Sequence, residues 1–568
     1  MKKLMNIDLL KLPEKAVVTL YGWAATIRKM GSLSFVDLRD RSAIVQLVFN
    51  TKIDFTKESV LEVTGILQKR KAINPDLVTG HYEVEVQSYK ILNLAQDIPF
   101  EINKDEILAK EDTRLQYRYL DLRRPQMYQN LLLRHKLIKA ARDWLDAHGF
   151  LEIETPILSK STPEGARDYL VLTRQPGAFF ALPQSPQLYK QLLMIAGIER
   201  YFQISRAFRD EDMRKDRQPE FSQLDIEMAF IEEADLFNLM EQLYVALLKV
   251  FKIEVQTPFL QMDYDQAIEL YGTDKPDLRY GYQLQEWTSL FNQCDVNLFK
   301  NQPSIKGLIF DRLLTNQELK ILEEIALKNK AEKLITIKIK AKTFSQQGLP
   351  SLIKNQLEQI IASEQIEDAT LLIVAGKYEQ TTQALGALRV KLNELFQLAK
   401  PDDYKFAWIV NWPMFELDEE NNLQAAHHPF TAPTAATAGF LVDDQPLKVK
   451  ARAYDLVLNG FELASGSIRI HDQTLQRQMF AALNLSAAEV EDKFGFFLKA
   501  FQYGAPPHGG IAFGLDRLTM ILCGANSIRE VIAFPKNANG IDVLFNGPQN
   551  ISDKQLSAYQ LKKIKPGS

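Results

Sequence analysis

Apolar and polar positions alternate with a period of two through residues 199–231, and the rest of the chain orders itself around that stretch. In the run Phe221–Met228, Leu224, Ile226 and Met228 fall on one face, and Phe221, Gln223, Asp225 and Glu227 on the other. Upstream, Phe202 and Ile204 oppose Gln203, Ser205 and Arg209, and a dense charged loop over 210–220 joins the two runs. The pattern predicts a long antiparallel hairpin, apolar beneath and polar above. Residues 17–92 break into five short β-type runs separated by turn residues, which predicts a small antiparallel barrel of the OB type. From Met127 to His148 the apolar positions Leu133, Leu137, Ala140, Ala141, Trp144 and Leu145 recur at helical spacing, and Gly149 stops the helix. Residues 150–156 then read as a strand. Residues 273–405 mix helical and strand-like runs such as KLITIKIKAK and QLEQIIASEQI, and carry no legible chemistry.

Composition narrows the class. A chain of 568 residues suits three or four domains. Its 46% apolar and 25% charged residues are ordinary for a globular protein. No apolar run is long enough to span a membrane, and the N-terminal residues lack the apolar core of a secretion signal, so a cytoplasmic location is expected. Cys294 and Cys523 are too few for a disulfide framework or a zinc site. The net charge of −4 does not announce nucleic-acid binding. Residues 1–100, however, carry 14 Lys and Arg against 11 Asp and Glu, a surplus of three that permits it.

Several stretches carry candidate chemistry. Gln, Asp and Glu are depleted in strands, so Gln223, Asp225 and Glu227 on one hairpin face suggest a site; a solvated outer face is the plain alternative. Asn459-Gly460 signals a two-residue type I′ turn, which pairs Leu458 with Phe461 and Val457 with Glu462. Asp455 and Glu462 then share a face as diagonal neighbours. Two carboxylates so placed can share a hard cation held mainly by phosphate oxygens, as magnesium prefers, or can be two unrelated acids. His427 and His428 lie in a loop without the further ligands that zinc needs. Phe35, Arg28 and Gln46 fall in the predicted barrel strands, where a structural role is the bland reading and nucleic-acid contact the sharp one.

The motifs together settle the resemblance. Phe208-Arg209-Asp210-Glu211, the charged loop and Arg217-Gln218-Pro219-Glu220-Phe221 resemble motif 2 of the class II aminoacyl-tRNA synthetases, in the form used by the bacterial-type aspartyl enzymes of subclass b. The helix before Gly149 with the strand and Pro156 resembles motif 1, and residues 507–520, including Gly514-Leu515-Asp516-Arg517, resemble motif 3. Gly386-Ala-Leu-Arg389 is similar to the insertion named for a Gly-Ala-Asp signature. The family's glycine run after the metal-binding acid reads Leu463-Ala464-Ser465-Gly466-Ser467 here, so two glycines are replaced by small residues.

The resemblance implies an α+β multidomain fold. An OB-fold anticodon-binding domain would span 1–100, a hinge 101–125, and a catalytic core 126–272 and 406–568, with an inserted domain at 273–405. The core would be a six- or seven-stranded, mostly antiparallel sheet. The implied reaction is aspartate activation by ATP followed by transfer to tRNA(Asp), with magnesium as cofactor, in a homodimer that binds neither membrane nor DNA. Arg209 and Arg517 would be catalytic. Asp210, Glu211, Gln218, Phe221, Glu462, Gly514, Leu515 and Asp516 would join them around ATP. Glu164, Gln187, Lys190, Gln223, Asp225, His427 and Arg469, with Arg209, would surround aspartate. Arg28, Phe35 and Gln46 would contact the anticodon, and Asp455 with Glu462 would hold the metal. The alternatives are an enzyme that also charges tRNA(Asn), an asparaginyl or lysyl enzyme, or a binder that has lost catalysis. Lys190 with Arg469, two cations for one carboxylate, argues against the asparaginyl and lysyl readings. Retention of Arg209, Glu211, Glu462 and Arg517 argues against the binder.

Overall fold

Inward-facing residues at every second position close the first five strands into a barrel. In the computed structural model these are β1 (Val17–Met30), β2 (Leu33–Arg39), β3 (Ile44–Phe49), β4 (Val60–Lys69) and β5 (Tyr82–Asn93). They run in the order β1-β2-β3-β5-β4, antiparallel except where β3 meets β5. Along β2, Ser34, Val36 and Leu38 point inward, and Phe35 and Asp37 outward. The interior is filled by Leu20, Val36, Leu38, Leu47, Leu61, Val63 and Val84, all fully buried. The structure describes residues 4–103, 108–161, 165–292, 294–418, 420–443 and 445–562. They form two units, one of Met1–Gln129 with Val543–Asn546, the other of Asn130–Asp542 with Gly547–Ser568.

The second unit is organised by an eight-stranded sheet. After helix α1 (Pro125–Ala147) its strands are β6 (Leu151–Glu152), β7 (Arg200–Phe208), β8 (Glu220–Ala229), β9 (Leu260–Asp263), β14 (Phe406–Pro413), β15 (Lys450–Leu458), β16 (Phe461–Ile468) and β17 (His508–Gly514). The order is β9-β14-β15-β16-β17-β8-β7-β6. This corrects the expected six or seven strands. The six central ones are antiparallel, and the additions are two short edge strands, each paired in parallel. The strand expected over 150–156 shrinks to Leu151–Glu152.

One face of this sheet is apolar. Leu224, Ile226, Met228, Leu456, Ile511 and Phe513 meet Leu137, Ala141 and Leu145 of α1 in one core. The same core takes Leu236, Met240, Leu243 and Leu247 from α3 (Glu233–Lys249). The 3.6-residue stripe of each helix matches the pleat beneath it, which is the usual solution for burying both. The other face carries α2 (Gln187–Ile195) and the polar side chains of β8.

Between α4 (Tyr264–Tyr271) and β14 the chain makes an excursion. It builds a separate antiparallel sheet of β10 (Gln285–Glu286), β11 (Ser304–Phe310), β12 (Ile335–Ile339) and β13 (Ala369–Gly376), in the order β10-β11-β13-β12. Helices α5 (Asn316–Lys328) and α6 (Tyr378–Phe396) cover one face through Leu322, Leu385, Leu388 and Leu392. Leu357 and Ile360 help cover the other. The run KLITIKIKAK contains β12, and the run QLEQIIASEQI lies mostly in a helix, Lys354–Ser363.

Candidate active site

The polar face of β8 opens into a cavity of about 380 Å³. Gln223, Asp225 and Glu227 stand on it in alternation, all buried, with the apolar residues between them in the core below. On the β17 side Gly514 lies opposite Gln223, Ala512 opposite Asp225 and Gly510 opposite Glu227. These small residues leave room for the acids. A Cβ at position 510 would lie 1.9 Å from Glu227 Oε2.

Two cations answer two of these acids. Helix α2 presents Gln187 and Lys190 on one face, and Lys190 Nζ lies 3.3 Å from Asp225 Oδ1 and 3.5 Å from Glu227 Oε2. Arg469, the residue after β16, forks Glu227: Nε donates to Oε1 at 2.9 Å and Nη2 to Oε2 at 3.1 Å. Arg469 Nη1 donates to Ser467 Oγ at 2.5 Å and to His428 Nε2 at 2.8 Å. Buried charges are tolerated when each meets its opposite, and here two of each sign do so. Burial alone would raise the Glu227 carboxyl; Arg469 and Lys190 outweigh it and hold the group below the usual carboxylate range. Burial, and then the Arg469 cation, push the His427 imidazole down to about 4 and His428 well below its ordinary value. Both rings are therefore neutral at pH 7.

Among the described residues, four polar atoms of the cavity lining are buried without a partner: Gln187 Nε2, Gln223 Oε1, His427 Nε2 and Arg517 Nε. Buried polar atoms nearly always find partners, so a donor and an acceptor left open on one cavity wall suit a small polar ligand.

The other half of the cavity is aromatic and basic. The Arg209 guanidinium lies over the Phe221 ring, 5.1 Å from its centre. Arg217 donates to Glu211 Oε2 at 2.9 Å. Arg517, in helix α7 (Leu515–Leu522), donates to the Glu462 carbonyl and pairs with Asp216 at 3.1 Å. Adjacent cations and acids on a loop beside an aromatic face can receive a nucleotide's phosphates and base.

The type I′ turn forms as expected, with φ of 52° at Asn459 and 86° at Gly460. Val457 pairs with Glu462 and Leu458 with Phe461. A bulge then shifts the register, so that Asp455 pairs with Ser465. Asp455 and Glu462 stay on one face. Burial, and next the Glu462 charge, push the Asp455 carboxyl well above the usual range. Its Oδ1 is buried without a partner. A divalent cation would relieve both conditions, so the pair fits one. Among the described residues no three His, Cys, Asp or Glu side chains are grouped to hold a metal, so the remaining ligands would be water or a nucleotide's phosphates.

The cavity gathers most of the residues read from sequence: Gln187, Lys190, Arg209, Glu211, Gln218, Phe221, Gln223, Asp225, His427, Glu462, Arg469, Gly514, Asp516 and Arg517 all line it. Others lie outside it. The Asp210 carboxylate does not reach the lining; it is held by Arg167 Nε at 2.6 Å. Leu515 is fully buried in the core, because it faces inward at the start of α7. Asp455 is buried and lies outside the lining. Two lining residues are already engaged. The Gln218 amide donates to the Lys536 carbonyl at 3.1 Å and accepts from its N–H at 2.8 Å. Asp516 accepts from Ser222 N at 2.8 Å and from Arg134. Glu164 lies outside the described residues. In the barrel, Arg28 pairs across strands with Phe35 and donates to Gln46 Oε1 at 3.2 Å, so these three meet on one outer face. Two functional positions lacked a role in the sequence reading. Alternation placed Glu227 on the right face, but nothing linked it to Arg469; His428 had no signal of its own.

Comparison with known proteins matches residues 110–538 to the class II tRNA synthetases (D, K and N). Residues 18–92 match the OB-fold nucleic acid binding domain. The chain is 45% identical over 572 residues to an aspartate–tRNA ligase of Malacoplasma penetrans, covering 98% of both chains. It is also 45% identical over 569 residues to an aspartate–tRNA(Asp/Asn) ligase of Caldanaerobacter subterraneus, covering 96% of both. An aspartyl tRNA synthetase from Entamoeba histolytica has the same fold, with a TM-score of 0.57 at 20% identity, over 94% of this chain and 91% of that one.

Proposed function

The chain belongs to the class II tRNA synthetases of the D, K and N group, and from that premise we propose an aspartate–tRNA ligase that activates L-aspartate with ATP and passes it to the terminal ribose of tRNA(Asp). The observation that carries this reading is the quartet of Lys190, Asp225, Glu227 and Arg469 beside a cavity with open polar atoms.

A count of hydrogens supports a seat for the substrate's side-chain carboxylate. Of the five N–H donors of Arg469, four are directed at Glu227, Ser467 and His428, which leaves one on Nη2. Lys190 directs two at Asp225 and Glu227 and keeps a third. These two cationic donors receive a carboxylate. A neutral amide would set its NH₂ against one of them, which disfavours asparagine. Gln223 Oε1, with Asp225 and Glu164, takes the substrate ammonium, and Gln187 and His427 close the pocket.

Arg209 faces the α-phosphate as the α-carboxylate attacks it. Phe221 stacks on adenine, Glu211 accepts from its amine, and Arg517 covers the opposite side and reaches the γ-phosphate. Gln218 holds the loop against the nucleotide through Lys536. Asp455 and Glu462 would hold magnesium, which supplies compensating charge on the ATP phosphates. No side chain forms a covalent bond; positioning and charge do the chemistry. The barrel reads the anticodon through Arg28, Phe35 and Gln46, with Phe35 half-exposed and available for stacking.

Two copies would associate through the motif 1 region. Leu151, Ile157, Leu158, Phe179 and Phe180 are exposed there, an apolar surface that asks for cover. The enzyme would work in the cytoplasm, where tRNA is charged.

The test is aminoacylation of purified tRNA(Asp) and tRNA(Asn) with labelled aspartate, ATP and magnesium. Charging of tRNA(Asp) supports the reading, and charging of both widens it to the tRNA(Asp/Asn) type. Absence of charging and of aspartate-dependent pyrophosphate exchange overturns it.

A further inference from the structure

The excursion between α4 and β14 leaves and rejoins the core at one spot, the Asn459-Gly460 tip of the β15–β16 hairpin. On the way out, Asp277 touches it: a Cβ on Gly460 would lie 3.4 Å from Asp277 Cβ and 3.9 Å from the Lys275 carbonyl. On the way back, Asn459 Nδ2 donates to the Asp403 carbonyl at 2.8 Å, and its Oδ1 accepts from Lys405 N at 2.9 Å. Arg279 ties the two ends together. It forks Asp277, with Nη2 to Oδ2 at 2.7 Å, and donates to the Lys400 carbonyl at 3.3 Å.

Helix α6 of the inserted domain grips the outgoing segment. Arg389, 1% exposed, donates from Nη2 to the carbonyls of Asp277 at 2.6 Å and Tyr280 at 2.8 Å. Its Nε points to those of Gly281 at 3.3 Å and Tyr282 at 3.2 Å. The guanidinium also lies over the rings of Tyr280 and Tyr271, at 4.2 and 4.9 Å. Tyr282 holds a φ of 66°, a costly value for an aromatic residue that persists only where the surroundings enforce it. One turn earlier, Gly386 makes the grip possible: a Cβ there would lie 2.5 Å from the Gly272 carbonyl. A planar fork that takes four carbonyls fixes a loop in a way a lysine cannot.

We propose that Arg389 is a positioning residue for Asp455 and Glu462, and that the inserted domain thereby sets metal–nucleotide binding while leaving aspartate binding alone. The aspartate quartet sits on β8, α2 and the far end of β16, whereas Asp455 and Glu462 flank the gripped tip. The inference rests on the metal role proposed above.

The test compares Arg389→Lys and Arg279→Ala with the parent full-length chain. The second releases Asp277 from a part-exposed side chain and serves if the first does not fold, as judged by circular dichroism. Pyrophosphate exchange gives KM for ATP and for aspartate across a magnesium titration. Calorimetry gives binding of a non-hydrolysable ATP analogue with and without magnesium. The expected result is a rise of about five- to tenfold in KM for ATP and in the magnesium requirement, with aspartate KM within about twofold. Matching weakening of the analogue is expected only when magnesium is present. Parallel shifts in both KM values, or no shift in a folded variant, overturn the proposal. If the parent chain binds the analogue equally with and without magnesium, the underlying metal reading fails instead.

Discussion

Arg469 enters the cavity already committed, because Glu227 occupies its forked edge. Glu227→Gln leaves a buried guanidinium without its counter-charge, which is expected to cost about 3–5 kcal/mol of stability. Aspartate KM should rise at least about tenfold, from the misaimed cation. A thermal melt and pyrophosphate exchange check the two. Glu227 contributes stability above its unfolded pKa that is lost as pH falls through its lowered folded value. His427 adds an acid sensitivity of the same sign. Its folded pKa of about 4 lies below the ordinary 6.5, so the neutral ring favours folding above 6.5 and that contribution drains away as pH falls. The slope from this site is at most about 1.4 kcal/mol per pH unit, and His427→Asn should flatten denaturation midpoints measured between about pH 5 and 7. At this scale the sequence yielded the right face for Glu227 but not its task, since an acid that orients a cation looks like one that meets a substrate. Asp210 and Leu515 fall outside the cavity lining for a related reason. A contiguous motif runs through the strand or helix, so its members point to different sides.

The β15–β16 hairpin shows what elements disclose. Two consecutive residues with positive φ at Asn459-Gly460 dictate the first two pairs, and both form. The bulge beyond them is hidden, because Leu463 is apolar and suits either register. The edge strand β9 escapes too, being too short for alternation to register, and β6 is shorter than the run read from sequence. The long helices are the most legible elements, since their stripes meet a matching pleat. Leu243 in α3 is fully buried against that pleat, and Leu243→Ala should cost about 2–5 kcal/mol, read as a lower denaturation midpoint. Folded protein of this variant should keep its KM values, because the cavity opens on the other face of the sheet.

The molecule as a whole divides the labour between a barrel and a catalytic unit, each with its own core. Phe35→Ala should therefore leave pyrophosphate exchange unchanged while raising KM for tRNA by about tenfold, the cost of one lost stacking platform. Filter binding of tRNA to the variant measures the same loss directly. The barrel and the motifs of the large sheet were legible, because their signals are local. The grip of Arg389 on the segment that leads out to the inserted domain was not, because it rests on backbone carbonyls, which every residue carries. Gly510 poses the same kind of problem to anyone mapping tolerance across the chain. It offers no functional group, yet any side chain there would displace the Glu227 carboxylate and, with it, the Arg469 guanidinium. In a saturation scan this position should be as intolerant as the arginine itself, so a ranking by mutational sensitivity alone would count a silent backbone residue among the proposed aspartate contacts.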